Sequence, residues 1–454
     1  MNSLTKNTKK LVNIEKLVYN GYGLGFLDKL TVMVLGALPG DVIQIKPVKK
    51  KRFMWLCEID AIIEPSVLRK KASCQHFKDC GGCQLQDIDY NDQLKLKDDM
   101  LDDSFKHLKM PHLKDITKPI QASKSSLYYR NKMDFSFAKE EDKVYLGLKK
   151  RKTYNAIVHL SDCQLQSRRC KDILAFSGEF FSAKKSSVWD YETHTGLLRY
   201  LTLRESKARQ KYMLILTTSY EDKLLCEAYA KAIQAAFPDI ETVWAAIQDS
   251  VGDTHKTDQL IHISGTKTFI DYIGDTPFKV SPNAFFQANS ETTKRLYDTV
   301  IALAKPKDTD TVLDLYCGTG TIGLSISPYV KTVVGIDNNE ASIADAKENA
   351  KLQGVKNAHF FAGDARAVLK EQDITASLLI LDPPRSGMHP KAIKEVLKIN
   401  APRIVYVSCH PVNMLRDLAL FEENYNVLEI QPIDMFPHTY HMEAVAYLEL
   451  KNTI

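Results

Sequence analysis

Asp314-Leu315-Tyr316-Cys317-Gly318-Thr319-Gly320-Thr321-Ile322-Gly323 is the stretch on which the reading of this chain turns. The apolar run Thr311-Val312-Leu313-Asp314-Leu315 leads into it and a helical pattern leads out, so a strand turns sharply into a helix over a set of glycines. Glycine there lets a ligand come close to the main chain. Asp337, 23 residues after Asp314, closes the next apolar run, Thr332-Val333-Val334-Gly335-Ile336-Asp337, where an acid can accept both hydroxyls of a ribose. Leu378-Leu379-Ile380-Leu381-Asp382 and Arg403-Ile404-Val405-Tyr406-Val407-Ser408 repeat the pattern. Continuous apolar, β-branched runs separated by helical stretches predict buried parallel strands with helical crossovers. Residues 276–454 therefore read as an α/β domain, Rossmann-like and doubly wound, with a mostly parallel sheet.

The glycine loop alone also satisfies the dinucleotide fingerprint, so a nicotinamide or flavin oxidoreductase is the first rival reading. Two features point elsewhere. Asp314 stands just before the turn, a placement suited to the charged amino acid end of S-adenosylmethionine, and no second mononucleotide-binding half follows. Asp364, in Phe360-Phe361-Ala362-Gly363-Asp364, ends a third strand, where it can contact an adenine or simply cap a helix. Asp382-Pro383-Pro384-Arg385 follows a further strand, with prolines fixing the loop at the edge where ligands collect in open α/β sheets.

Cys409 lies directly after the run 403–408, at that same edge, in Val407-Ser408-Cys409-His410-Pro411. A thiol at a helix start can be tuned toward thiolate, whereas an arbitrary cysteine is more often a buried structural one. Methylation at carbon 5 of uracil gives such a thiol a task. That carbon is a weak nucleophile until a thiolate adds at carbon 6 and turns it into an enolate carbon. A base must then take the carbon 5 proton so that the thiolate can leave. Glu443, before the apolar run 444–450, is the candidate base, set against its reading as an ordinary surface glutamate.

Cys74, Cys80 and Cys83 form a C-x5-C-x2-C set on a Gly81-Gly82 turn, with Cys163 as the plausible fourth ligand and Cys170 and His76 as competitors. Four thiolates suit zinc or an iron–sulfur cluster equally. The total of nine cysteines is odd and the chain has 454 residues, which excludes a small secreted disulfide scaffold. Upstream, Val32-Met33-Val34, Asp41-Val42-Ile43-Gln44-Ile45-Lys46 and Leu56-Cys57-Glu58-Ile59 read as short strands of a β-barrel over residues 1–65, of a kind that binds oligonucleotides or simply folds as a barrel. Residues 66–275 form a mixed central domain, with strand-like stretches such as Tyr212-Met213-Leu214-Ile215-Leu216. Net charge is only +5, but Lys49-Lys50-Lys51-Arg52, Arg69-Lys70-Lys71 and Lys149-Lys150-Arg151-Lys152 concentrate basic charge in the first third, as solvated faces or as a polyanion site. The hydrophobic share of 44% and the absence of an apolar run of about 18 residues or a signal core predict a cytoplasmic, monomeric protein without membrane association.

Taken together these motifs resemble the bacterial RNA uracil-C5 methyltransferase family over nearly the whole chain. The resemblance implies a TRAM-type RNA-binding barrel, and a 4Fe–4S cluster on Cys74, Cys80, Cys83 and Cys163. It implies S-adenosylmethionine held by Gln287, in Ser281-Pro282-Asn283-Ala284-Phe285-Phe286-Gln287-Ala288-Asn289, together with Tyr316, Thr321, Asp337, Asp364 and Asp382. Cys409 matches the nucleophile and Glu443 the proton acceptor. One departure stands at His410, where the family usually shows Asn or Asp before proline; a histidine there can orient its loop differently and can titrate. Members with both barrel and cluster resemble those acting on 23S rRNA, with tRNA the second reading. The target base must be flipped out to reach Cys409. Tyr128, Tyr129, Phe135 and Phe137 around Arg130 and Lys132 are the expected stacking and charge partners for RNA. A non-catalytic RNA-binding assembly factor is the remaining rival.

Overall fold

Long runs of fully buried aliphatic side chains make the central strands of the C-terminal sheet, as their lack of alternation requires: Leu378, Leu379, Ile380 and Leu381 are all inaccessible to solvent. The computed structural model describes residues 9–252, 257–365, 367–368 and 374–451. Five strands, β1 (Lys10–Val18), β2 (Tyr22–Leu27), β3 (Leu30–Leu35), β4 (Val42–Lys51) and β5 (Met54–Glu64), close into a barrel in the order β1-β2-β3-β5-β4. Inward-facing Val12, Ile14, Val32, Val34, Ile43 and Ile45 fill it. Three of these strands are the ones expected; at the start of β1, Lys9 and Lys10 are exposed while Val12 and Ile14 face inward.

A seven-stranded sheet follows: β6 (Lys132–Glu140), β7 (Lys143–Lys149), β8 (Ile157–His159), β9 (Leu198–Ser206), β10 (Lys211–Thr218), β11 (Ile240–Ile247) and β12 (Gln259–Gly265), in the order β12-β11-β10-β9-β6-β7-β8. A hairpin of β13 (Ile270–Ile273) and β14 (Thr276–Lys279) leads to the C-terminal sheet. Its strands are β15 (Thr311–Leu315), β16 (Thr332–Asp337), β17 (Ala358–Ala362), β18 (Leu378–Leu381), β19 (Arg403–Ser408), β20 (Tyr425–Ile433) and β21 (Glu443–Leu450), ordered β17-β16-β15-β18-β19-β21-β20. The first five in chain order run parallel, and β21 lies antiparallel to β19 with Ser408 opposite Ala444. Strand order reverses beside β15, so a ligand crevice opens at the C-terminal ends of β15 and β18. Met213, Ile215 and Ala246 of the middle sheet share one core with Phe278, Phe286, Leu296 and Val312, which makes the two sheets continuous in packing.

The helix Tyr90–His107 ties the chain's ends together. Lys97, fully buried on it, donates to Asp434 Oδ1 at 2.6 Å and to the carbonyls of Phe436 and His441 at 3.2 and 2.8 Å. Gln93 accepts from the His438 N–H at 2.9 Å. Among the described residues no helix is long and apolar enough to cross a membrane.

Candidate active site

The glycine loop is built as its composition requires. Tyr316 (φ 63°), Gly318 (φ 52°) and Gly320 (φ 77°) are left-handed, and a Cβ on Gly320 would stand 2.7 Å from the Phe360 ring. Asp337 Oδ2 accepts from the Gly318 N–H at 3.0 Å, and Asp314 Oδ2 accepts from the Gly323 N–H at 3.0 Å. Tyr316, Asp337 and Asp364 line one cavity of about 450 Å³, with His389 and Lys391 across from them. Asp364 is exposed there and also accepts from the Ala367 N–H at 3.3 Å, so the capping contact and the cavity position coexist. Thr321 lines neither this cavity nor the larger one; its hydroxyl is 2.6 Å from that of the buried Tyr297.

A second, larger cleft of about 890 Å³ runs between the middle and C-terminal sheets and brings together Gln287, Arg385, Cys409 and Glu443. Cys409 leaves β19 and Glu443 opens β21, two strands paired side by side, which places nucleophile and base candidates at one sheet edge. Buried Asp314 and Glu443 and half-buried Asp382 converge on this edge with little to neutralise them. Burial raises Asp382 to about 7. Burial and the nearby Asp382 and Asp337 raise Asp314 to about 8 against the pull of the Gly323 N–H. Burial and Asp382 raise Glu443 to about 8, opposed by Arg385. Asp314 Oδ1 is buried without a hydrogen-bond partner among the described residues. Carboxyls left this way fit a cationic ligand, and a sulfonium donor is one.

Cys409 departs from the expectation of a thiol tuned toward thiolate. Burial, Glu443 and Asp382 push it up to about 12, with Arg385 opposing. Burial and Arg385 push His410 down, leaving it neutral. His410 Nδ1 accepts from the Asn413 N–H at 3.2 Å and so caps the helix Pro411–Phe421. Asn and Asp are ordinary residues for that position, which gives the departure at His410 a physical account. Arg385 Nη2 donates to His441 Nδ1 at 3.0 Å, and the imidazole of His441 is pushed down to about 3 by burial and that guanidinium.

Several expectations for RNA contacts are corrected. Tyr129, Phe135 and Phe137 are buried in the core of the middle sheet, because Phe135 and Phe137 alternate onto its inner face, and no base can stack on them. Tyr128 packs under the Arg168 guanidinium. Arg130 and Lys132 do line the cleft, although Lys132 pairs with Asp134 at 2.9 Å. Phe285, 70% exposed, and Phe436 supply the aromatic surface there instead; the Phe285-Phe286 pair was the available signal. Two of the three basic runs are engaged within the protein. Arg69 joins Asp41 and Asp87, Lys70 pairs with Asp89, Lys150 with Asp79 and Lys152 with Glu58. Lys49, Lys50 and Lys51 at the β4–β5 hairpin are exposed and carry no ion pair among the described residues.

Cys74, Cys80, Cys83 and Cys163 line one small cavity, none in a disulfide, and burial together with the other thiols raises Cys80 to about 11 and Cys83 further. Among the described residues no three His, Cys, Asp or Glu side chains converge closely enough to hold a single metal ion. Neither Cys170, which is buried nearby, nor His76, which bonds to Ser161, lines that cavity. This segment grips the turn that precedes Glu443: the Gln84 and Leu85 N–H groups donate to the His438 carbonyl at 2.8 and 3.0 Å, and Tyr129 Oη donates to the Pro437 carbonyl at 3.1 Å.

A family model for tRNA (uracil-5-)-methyltransferases matches residues 274–451. An RNA methyltransferase of Caldanaerobacter subterraneus subsp. tengcongensis, of uncharacterized specificity, is 35% identical over 96% of this chain and 98% of its own length. This chain belongs to the RNA uracil-C5 methyltransferase family. A counterpart in Clostridium tetani is 32% identical over the full length of both chains. The crystal structure of the tRNA (uracil-54, C5)-methyltransferase of Pyrococcus abyssi, in complex with S-adenosyl-L-homocysteine, is 26% identical and superposes with a TM-score of 0.75 over 96% of this chain and 99% of that one. Family membership makes S-adenosylmethionine the methyl donor and RNA the substrate class, and it removes the oxidoreductase reading.

The converging carboxyls give a pH signature. Each is neutral below its raised value and anionic above it, so attraction for the donor's sulfonium grows as Asp382, then Asp314 and Glu443, ionise. Calorimetric affinities should show the preference for S-adenosylmethionine over S-adenosylhomocysteine rising from about pH 6 to about pH 8. A ratio that stays flat across that range contradicts the electrostatic account.

Proposed function

We propose that this chain methylates carbon 5 of one uridine in 23S rRNA, with Cys409 as nucleophile and Glu443 as the base. The observation carrying this reading is that both residues open onto one cleft from adjacent strand ends, beside carboxyls suited to a cationic donor. The donor would be held by Gln287, Tyr316, Asp337, Asp364 and Asp382, its adenosine in the cavity lined by Tyr316, Asp337 and Asp364, while Thr321, expected among these, is engaged with Tyr297 outside both cavities. Bound S-adenosylmethionine supplies the methyl group and a positive charge that makes ionisation of Cys409 easier. The Cys409 thiolate adds to carbon 6 of the flipped uracil, and the electron pair of the carbon 5–carbon 6 double bond shifts to make carbon 5 an enolate carbon. After carbon 5 has taken the methyl, the Glu443 carboxylate removes its proton. The carbon 6–sulfur bond then breaks, the double bond re-forms and Cys409 leaves as thiolate.

The cleft's Arg130, Phe285 and Phe436, with the TRAM-like barrel's Lys49, Lys50, Lys51 and Arg52, are the surfaces proposed to hold RNA. We also propose a 4Fe–4S cluster on Cys74, Cys80, Cys83 and Cys163. What supports it is that these four thiols line one cavity and none is in a disulfide, a donor set suited to iron–sulfur ligation. Its proposed role is to hold the segment that grips the turn before Glu443.

RNA containing 5-fluorouridine tests the chemistry, because fluorine cannot leave as a proton does. The wild-type chain with S-adenosylmethionine should form a gel-stable adduct with 23S rRNA, and Cys409→Ala should form none. Trapping of tRNA in place of 23S rRNA would shift the substrate to the second reading; an adduct that survives Cys409→Ala would reject the nucleophile. Protein purified without oxygen should contain iron and acid-labile sulfide, both lost in Cys83→Ser. Zinc in place of iron would reject the cluster.

A further inference from the structure

The barrel reaches the reaction centre at its β1–β2 turn. Tyr19 stands in the tight β1–β2 turn, where Asn20 (φ 74°) and Gly21 (φ 73°) reverse the chain. Its ring centroid lies 4.3 Å from that of His410, the residue after Cys409, and 6.1 Å from that of Tyr440, three residues before Glu443. The turn is pressed against the second of these loops: a Cβ on Gly21 would stand 2.7 Å from Tyr440 Cδ1. Leu17 and Leu38 of the barrel pack in one cluster with Met442, next to Glu443. Tyr19 Oη is buried with no hydrogen-bond partner among the described residues, so the contact is made by the ring. Two short loops carry the two reacting groups, and one aromatic ring from a different sheet packs against both.

We propose that Tyr19 is a positioning residue, an aromatic wedge against His410 and Tyr440 that holds Cys409 in reach of carbon 6 of the flipped base, so that the N-terminal barrel completes the catalytic centre and does more than bind RNA. His410 is the partner this wedge uses: its ring offers Tyr19 a flat, neutral face while its Nδ1 caps the following helix. The proposal rests on the roles given above to Cys409 and Glu443.

The full-length chain tests it through the rate of adduct formation on 5-fluorouridine RNA at saturating RNA and donor. Loss of the wedge lets the loops shift, and a misplacement of about 1 Å costs roughly 10²-fold in rate. Tyr19→Ala should therefore slow adduct formation by about 10²-fold while its affinities for RNA and S-adenosylmethionine stay at the wild-type values. Tyr19→Phe, which keeps the ring, should restore the rate. His410→Asn keeps the helix cap, removes the stacked ring and lies outside the barrel, so it reports even if Tyr19→Ala fails to fold. It should be as slow as Tyr19→Ala, and the double variant should be no slower than either single, since both remove one contact. A wild-type rate in Tyr19→Ala or in His410→Asn overturns the proposal. So does a fall in RNA affinity that accounts for the rate loss, or a Tyr19→Phe as slow as Tyr19→Ala. A wild-type chain that forms no adduct overturns the underlying chemistry, a different failure from a Tyr19 variant that forms it normally.

Discussion

Buried Asp314 and Glu443 and half-buried Asp382 sit at one edge of a parallel sheet where a single guanidinium, that of Arg385, reaches the Glu443 carboxyl. Burying carboxyls without cations is unfavourable, and here it raises their affinity for protons. Much of the site's chemistry follows from this. Burial, with Glu443 and Asp382 beside it, pushes the Cys409 thiol up to about 12, so the nucleophile we propose needs positive charge in the crevice to ionise. A resting enzyme with a protonated thiol is protected from oxidation and side reactions, because only the thiolate is nucleophilic.

Holding such a site together needs more than the C-terminal sheet. The loop 434–443 that delivers Glu443 has little regular structure of its own, and three distant parts of the chain brace it. Lys97 and Gln93 hold it from one helix, the Gln84 and Leu85 amides from the cysteine-bearing segment, and Leu17 and Tyr19 from the barrel. The Lys97–Asp434 pair is wholly buried, so removing either partner would strand a charge in the interior. Barrel, cysteine segment and the helix Tyr90–His107 thus meet at the turn 436–441, which explains why this fold carries them as one unit around the crevice.

The sheet was legible in the residues because continuous burial leaves an unmistakable run of β-branched and leucine side chains, and the glycine loop because a turn this tight demands left-handed positions. Glu443 and Gln287 had no such signal: Glu443 is one polar residue at the head of an apolar run, suggested only because the chemistry needs a base, Gln287 is one polar residue in an irregular loop, and the family resemblance raised both. Tyr19, Arg385, Tyr297 and Lys97 were missed for a related reason. Their contacts join residues far apart in sequence, 337 positions in the case of Lys97 and Asp434, and leave no local periodicity. The aromatic and basic residues near Arg130 misled in the opposite direction. Their composition suits RNA, but Phe135 and Phe137 sit two apart on a strand, and that alternation sends both to the core. The basic runs misled likewise, since acidic partners from other segments engage two of the three.

The division of labour between Cys409 and Glu443 is the centre of this account, and one variant separates the two roles most directly. Glu443→Gln should be mixed with S-adenosylmethionine and RNA containing ordinary uridine, then resolved under denaturing conditions and the RNA digested for mass spectrometry. If Glu443 is the base, addition and methyl transfer proceed and elimination stalls, so a Cys409–RNA adduct bearing a methyl group at carbon 5 accumulates where the wild type shows none. A Glu443→Gln protein that turns over at the wild-type rate, or one that binds RNA and donor normally yet forms neither adduct nor methylated product, would contradict it.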